Sequence, residues 1–253
     1  PWALGAIMNT LGPASEWYRI AIYFYLHFQY NGWMMMVILG IFFFILNQKG
    51  DIISLKRFNY IFWSANLGIV LSFFLSVLFT EPNWIFYLFG GLGALLQLGA
   101  FVLILKFLMG IRKQKYAKTI ISDFGRTLLV LIAIKLGLQL LSSLPYVARL
   151  ASSVLSFTIG YLHLVFLGVV TIAILMIASI DRWLKISKSA LALYLTGFSL
   201  SEVLIFYDGL VAWLQFPALE YSKILIVLAS ALILASLVSI FIASLGNIKE
   251  VSN

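Results

Sequence analysis

Charge disappears from this chain over long intervals. No Asp, Glu, Lys or Arg occurs between Arg19 and Lys49, between Arg57 and Glu81, between Glu81 and Lys106, or between Arg149 and Asp181. About 20 apolar residues in a helix cross the ~30 Å hydrocarbon layer of a bilayer, and each interval is long enough to do so. Inside lipid the backbone can satisfy its own hydrogen bonds only as helix or as a closed barrel. The intervals lack the period-two alternation of barrel strands, so they read as helices. Composition agrees: 63% of residues are hydrophobic and 10% charged, with mean hydropathy +1.06, whereas soluble domains carry about 25% charged residues. The expected fold is all-α, a polytopic membrane helix bundle forming one transmembrane domain over residues 1–253.

Seven spans are expected, near 16–46, 58–80, 84–109, 126–144, 153–180, 189–216 and 221–246. Turn and charge signals separate them: "NQKGD", "TEPN", "GIRKQK", "SSLP", "DRWLK" and "QFP". "SLPYVARLASS" reads as a short interfacial helix leading into span five, with Arg149 at the headgroups. The loops alternate in charge. One side holds Lys49, Lys56, Arg57, Arg112, Lys113, Lys115, Lys118, Arg126, Arg182, Lys185, Lys188 and Lys249, and the other mainly Arg19, Arg149 and Lys223. Twelve against three places the C-terminus in the cytoplasm by the positive-inside rule. The same distribution accounts for the net charge of +8, so the lipid bilayer is the expected partner and nucleic acid is not. A chain that starts at Pro1 rather than Met reads as a portion of something longer.

Several chemistries are excluded. Cysteine is absent, which removes disulfides and thiolate ligands. "GGLG" at Gly90–Gly93 lies in an apolar span with no Gly-Lys-Ser after it, so it is no phosphate loop. Span seven has Lys223 only at its edge, which argues against a retinal Schiff base. Two histidines cannot make a three-histidine zinc site.

Those two histidines are the main functional signal. His27 lies in "YFYLHFQYNGWMMM" and His163 in "GYLHLVFLG". Each falls about 16–18 Å along its helix at 1.5 Å per residue, and spans one and five run in the same direction. Two imidazoles at one depth could share a ligand, and neutral imidazole suits iron. Helical spacing puts Tyr23, His27, Tyr30, Asn31 and Met34 on one face. Gly160, three residues before His163, clears space for close helix packing or for a flat cofactor. The plainer alternative is that each histidine only bonds across a helix interface. Intramembrane charge supplies the second signal. Lys135 and Glu202 sit near the middles of spans four and six, and mutual pairing is expected because an isolated charge at mid-membrane is costly. Gln97 and Asp208 could extend the pair, as a static clamp or as an ion relay.

"YLHFQYNGWMMM" resembles the sixth helix of the haem-copper oxidase superfamily, most of all the nitric oxide reductase branch. The pattern there is histidine, three residues, glutamate, glycine and tryptophan; here it reads His27, Asn31, Gly32 and Trp33. "GYLHLVFLGVVT" is similar to the tenth helix of that family, with Tyr161 at its first histidine position, His163 at the second and Gly168 at the later glycine. Spans one to seven would then match helices six to twelve, the second half of a catalytic subunit. The departures imply a depleted metal inventory. "FNYIFWSANLGIVLSFF" lacks the histidine pair of the second metal, Tyr161 replaces the active-haem ligand, and Asn31 replaces the glutamate. What the resemblance leaves is His163 as one ligand of a low-spin haem b, its partner lying outside this sequence. His27 and Asn31 would be a remnant, or His27 a ligand for a single copper, zinc or iron ion.

The resemblance implies electron transfer, redox sensing or a non-catalytic subunit role in a prokaryotic plasma (inner) membrane, beside other membrane subunits or a cytochrome. Respiratory-type oxidoreductase activity would need ligands from outside the sequence. The competing expectations are a multi-pass permease or channel using Lys135, Glu202 and the Tyr23–Asn31 face, and a structural subunit in which polar groups only knit helices together.

Overall fold

The computed structural model describes residues 2–111 and 120–251. Arg112, Lys113, Lys115 and Lys118, which carry part of the charge asymmetry, lie outside the described residues. Every regular element among those described is helical. Seven helices are long and apolar enough to cross a membrane: Glu16–Gln48, Leu55–Thr80, Trp84–Gly110, Ser122–Leu141, Leu155–Ile180, Lys188–Leu214 and Ser222–Leu245. The chain is therefore an all-α integral membrane protein. The fourth span departs most from the expected limits. It starts and ends earlier than 126–144, so Arg126 stands exposed on the helix rather than in the loop before it.

The chain divides into two compact units, Pro1–Lys113 with Ala133–Ser153, and Gln114–Ile132 with Val154–Asn253. The first contains α1 (Trp2–Thr10), which the sequence reading does not anticipate. Span one follows as α2 (Glu16–His27), a π-helical stretch Phe28–Met34, and α3 (Met35–Gln48). Ser15 caps it by accepting from the Tyr18 N–H at 3.2 Å, satisfying one of the free donors of the first turn. Gly50, at φ +78°, closes the other end, and the Asp51 N–H returns to the Leu46 carbonyl at 2.9 Å. Span two is α4 (Leu55–Ser72) continued by a 3₁₀ stretch, Phe73–Thr80. Glu81 in the left-handed region, φ 49°, ends it before Pro82, and Asn83 caps α5 (Trp84–Gly110) through the Ile85 N–H.

α4 and α5 meet backbone to backbone. A Cβ on Gly68 would lie 2.8 Å from the Gly93 carbonyl oxygen, and one on Gly93 would strike the backbone of Ser72. Small residues at such crossings let dispersion contacts accumulate where lipid offers no hydrophobic drive for association. Toward the other end of this unit, Phe43, Leu46, Ile61, Ala65, Ala100 and Phe107 form a buried core shared by spans one, two and three. The expected short helix is present as α7 (Pro145–Ser153), with Arg149 exposed and Ala148 buried. α6 (Ile120–Leu141) belongs to this unit from Ala133 onward.

The second unit holds the start of α6 and span five, which is α8 (Leu155–His163), a π-helical stretch Leu164–Val170, and α9 (Thr171–Ile180). α10 (Lys188–Leu214) is capped by Ser187 through the Ala190 N–H, and α11 (Ser222–Val251) packs along it. At their crossing a Cβ on Gly197 would sit 2.7 Å from the Ala229 carbonyl oxygen. The Ser236 hydroxyl donates to the Ala190 carbonyl at 2.7 Å, fixing the same pair.

Candidate functional site: two histidines, each before a π-helical turn

Both histidines are the last residue of an α segment, and a seven-residue π stretch follows each. A glycine stands five positions on in both, Gly32 and Gly168. The wider turn is visible in its bonds: the Met35 N–H reaches the Tyr30 carbonyl, and the Thr171 N–H reaches the Phe166 carbonyl. Such stretches amount to an extra residue in an α-helix and recur at functional sites.

In the first unit His27 is 2% exposed and both ring nitrogens are engaged. Nε2–H donates to the Ile69 carbonyl at 2.9 Å. That carbonyl is available because α4 gives way to 3₁₀ geometry: the Phe73 N–H, which an α-helix would send to Ile69, goes to Val70 and Leu71 instead. A carbonyl only accepts, so the proton resides on Nε2 and Nδ1 is the acceptor. Nδ1 receives the Ser76 hydroxyl at 3.0 Å and the Asn31 side-chain N–H at 3.3 Å. Phe28 and Phe73 stand edge-on to the imidazole, and Tyr23 rests against Phe79.

The bonds continue away from His27. Ile69 also accepts from the Ser72 hydroxyl at 3.2 Å, which in turn accepts from Gln97 Nε2 at 2.7 Å. Gln97 Nε2 also donates to the Gly68 carbonyl at 3.1 Å, while its Oε1 accepts from Lys135 Nζ at 3.4 Å. Lys135, 1% exposed, makes its shorter bond to Gln139 Oε1 at 2.7 Å. One network thus ties spans one, two, three and four together within this unit. The expected Lys135–Glu202 pair is replaced on the lysine side by two neutral amides. Ser72, Ser76 and Gln139 are members that the sequence reading passed over. Gln139 stands at i+4 from Lys135 and Ser76 at i+4 from Ser72, spacings that signal shared helix faces.

In the second unit Glu202 takes His163 as its partner: Nδ1 and Glu202 Oε1 are 2.7 Å apart. The side chains are 20% and 12% exposed. Nδ1–H donates to the carboxylate, and Nε2 makes no hydrogen bond among the described residues. Glu202 Oε2 is buried and receives no donor there either. The pair is set in a ladder of ring-on-glycine contacts. Phe198, Glu202 and Phe206 repeat every four residues on α10 and so share one face. Phe198 lies over Gly168 and stacks parallel to the His163 ring at 6.0 Å, while Phe206 lies over Gly160. The space beside Gly160 is therefore filled by a phenyl ring, the packing alternative rather than the flat-cofactor one. Tyr161 is half-buried two residues before His163. Asp208 accepts from the Ser222 hydroxyl at 2.6 Å, a separate link between α10 and α11.

His27 and His163 thus belong to different units, and each finds its partners inside its own. The two differ chemically. His27 has no nitrogen to spare, whereas His163 has its Nδ1 held by a carboxylate and its Nε2 lone pair uncommitted. Among the described residues no three His, Asp or Glu side chains gather as a closed metal site. Comparison with known protein families, curated proteins and solved structures finds no match to this chain.

Proposed function

We propose that this integral membrane protein is a redox subunit resembling the second half of a haem-copper oxidase catalytic subunit, and that His163 Nε2 is its ligand for haem b or a single metal ion. The observation that carries the reading is the state of the His163 ring. A histidine ligand needs one lone pair free and its other nitrogen tethered, commonly to a carboxylate. His163 meets both conditions through Glu202. His163 would hold such a group through one imidazole nitrogen, and further donors would come from elsewhere.

Charge supports the same reading. A buried carboxylate with one donor is under-compensated in a low-dielectric site, and Glu202 Oε2 is in that position. A cation on the far side of the imidazole would offset the deficit. When bound, the group would accept and release one electron. Glu202 orients the ring, Phe198 and Phe206 flank the pair along the helix, and the network around His27 and Lys135 frames the other unit. Asn31, bonded to His27 Nδ1, is part of that frame.

The test is an absorption spectrum of purified protein, air-oxidised and then dithionite-reduced, with metal analysis alongside. A haem band or a stoichiometric metal is expected, lost in His163→Ala and retained in His27→Ala. A blank spectrum together with blank metal analysis would sink the proposal.

The first unit favours a second reading, a structural subunit without cofactor. Its network commits both ring nitrogens of His27 and, among the described residues, joins Lys135 to neutral amides, as a static helix clamp would. Under that reading alanine replacements at His27 and at His163 would both weaken assembly and leave the spectrum featureless. A permease reading would instead require substrate flux that Lys135→Gln or Glu202→Gln abolishes.

A further inference from the structure

We infer that Glu202 is the positioning residue of the His163 site: it fixes the proton on Nδ1, aims the Nε2 lone pair outward, and strengthens that nitrogen as a donor. The inference deepens the reading of His163 as a ligand and rests on it for its functional meaning, but the geometry stands without any bound group. An unrestrained neutral imidazole distributes its proton between two nitrogens and rotates about its χ angles. Here a carboxylate oxygen 2.7 Å from Nδ1 can only accept, which selects one tautomer. The Phe198 ring bounds one side of the imidazole, with 6.0 Å between centroids and 8° between planes.

Helical spacing makes this one device. Phe198 and Glu202 are one turn apart on α10, and the ring that fills Gly160 comes from Phe206, one turn further. Each phenyl is seated where a Cβ would collide with it: 2.8 Å from Phe198 Cζ at Gly168 and 2.9 Å from Phe206 Cε2 at Gly160. α10 is thereby locked lengthwise against span five, with Glu202 held opposite His163. The two histidines of the chain are consequently driven to opposite tautomers, His27 with its proton on Nε2 and His163 with its proton on Nδ1.

Because the chain has only two histidines, the prediction is directly readable. Full-length protein labelled with ¹⁵N-histidine, in phospholipid nanodiscs and without added metal, is expected to give one Nε2–H and one Nδ1–H imidazole. His27→Gln removes the first and His163→Gln the second. Glu202→Leu is expected to shift His163 toward a mixture of tautomers with His27 unmoved, and Glu202→Gln, whose amide can donate to Nδ1 as well as accept from it, to relax the selection in the same direction. Haemin titrated into the same samples is expected to bind about 10–100-fold more weakly to the Leu variant, the usual cost of losing such a partner.

A wild-type His163 protonated on Nε2, or on both nitrogens, would overturn the inference. So would a folded Glu202→Leu protein with unchanged tautomer and haemin affinity. If the Leu variant does not fold, the wild-type tautomers still decide. If the tautomer pattern holds but haemin does not bind wild-type protein, the haem reading fails and the positioning role of Glu202 stands.

Discussion

Among the described residues Lys135 is buried without a carboxylate partner, and that makes its energetics differ from those of an ion pair. Its ammonium is held by Gln139 and more distantly by Gln97, so the cost of removing a charge from water is offset only by dipoles. Lys135→Met removes that cost and leaves two buried amide oxygens without their donor. Its stability in a detergent or steric-trapping unfolding assay is expected to stay within about 1 kcal/mol of wild type, in either direction. Gln97→Leu is the more damaging change although it removes no charge. It strips partners from Ser72, from the Gly68 carbonyl and from Lys135 together, and a loss on the order of 1–2 kcal/mol is expected, the upper range for hydrogen bonds between membrane helices. A larger loss in Lys135→Met than in Gln97→Leu would show that the lysine, not the amide, is the keystone. Spacing makes Gln139, at i+4, readable as a neighbour of Lys135, but not the bonds that Gln97 makes to Ser72 and Gly68 on another helix. A polar residue in a span announces that it needs a partner, but not which helix supplies it.

At the scale of elements, the glycines of the spans separate into seats and bystanders. A Cβ at Gly160 runs into Phe206, whereas Gly137 and Gly99 face open space. Gly160→Ala is expected to destabilise by about 1–3 kcal/mol through overpacking, with much of the loss recovered in Gly160→Ala/Phe206→Leu. Gly99→Ala is expected to be neutral or to stabilise by about 0.4–1 kcal/mol. Thermal or denaturant unfolding of the four proteins checks both statements. The element limits themselves were largely legible, because span boundaries depend on local hydropathy and turn residues. Asn83 and Gly50 mark ends inside the turn signals "TEPN" and "NQKGD". The changes of helix type were not legible. The π stretches after His27 and His163 and the 3₁₀ stretch after Ser72 arise from tertiary bonding, and nothing in the apolar composition of those segments distinguishes them from α-helix. Yet the 3₁₀ stretch is what presents a backbone acceptor to His27, so the part of the site that escaped the sequence is the part made by backbone.

At the scale of the molecule, the seven apolar helices among the described residues, if each crosses once, would put the two termini of this chain on opposite sides. The charge asymmetry of the loops then predicts a cytoplasmic C-terminus. A green fluorescent protein fused after Asn253 is expected to fluoresce in a bacterial host, and alkaline phosphatase fused there to be inactive. The reverse pattern would invert the topology and count against the proposed likeness to the haem-copper oxidases.

The eight residues Phe73–Thr80 carry one more implication. A 3₁₀ helix rises about 2.0 Å per residue against 1.5 Å in an α-helix, so this stretch is roughly 4 Å longer than an α-helical version would be. Rewinding it would return the Phe73 amide to Ile69 and contract the second crossing at the same stroke, taking from His27 the oxygen to which it donates. The bond at the imidazole and the reach of that helix across the lipid are two ends of one lever.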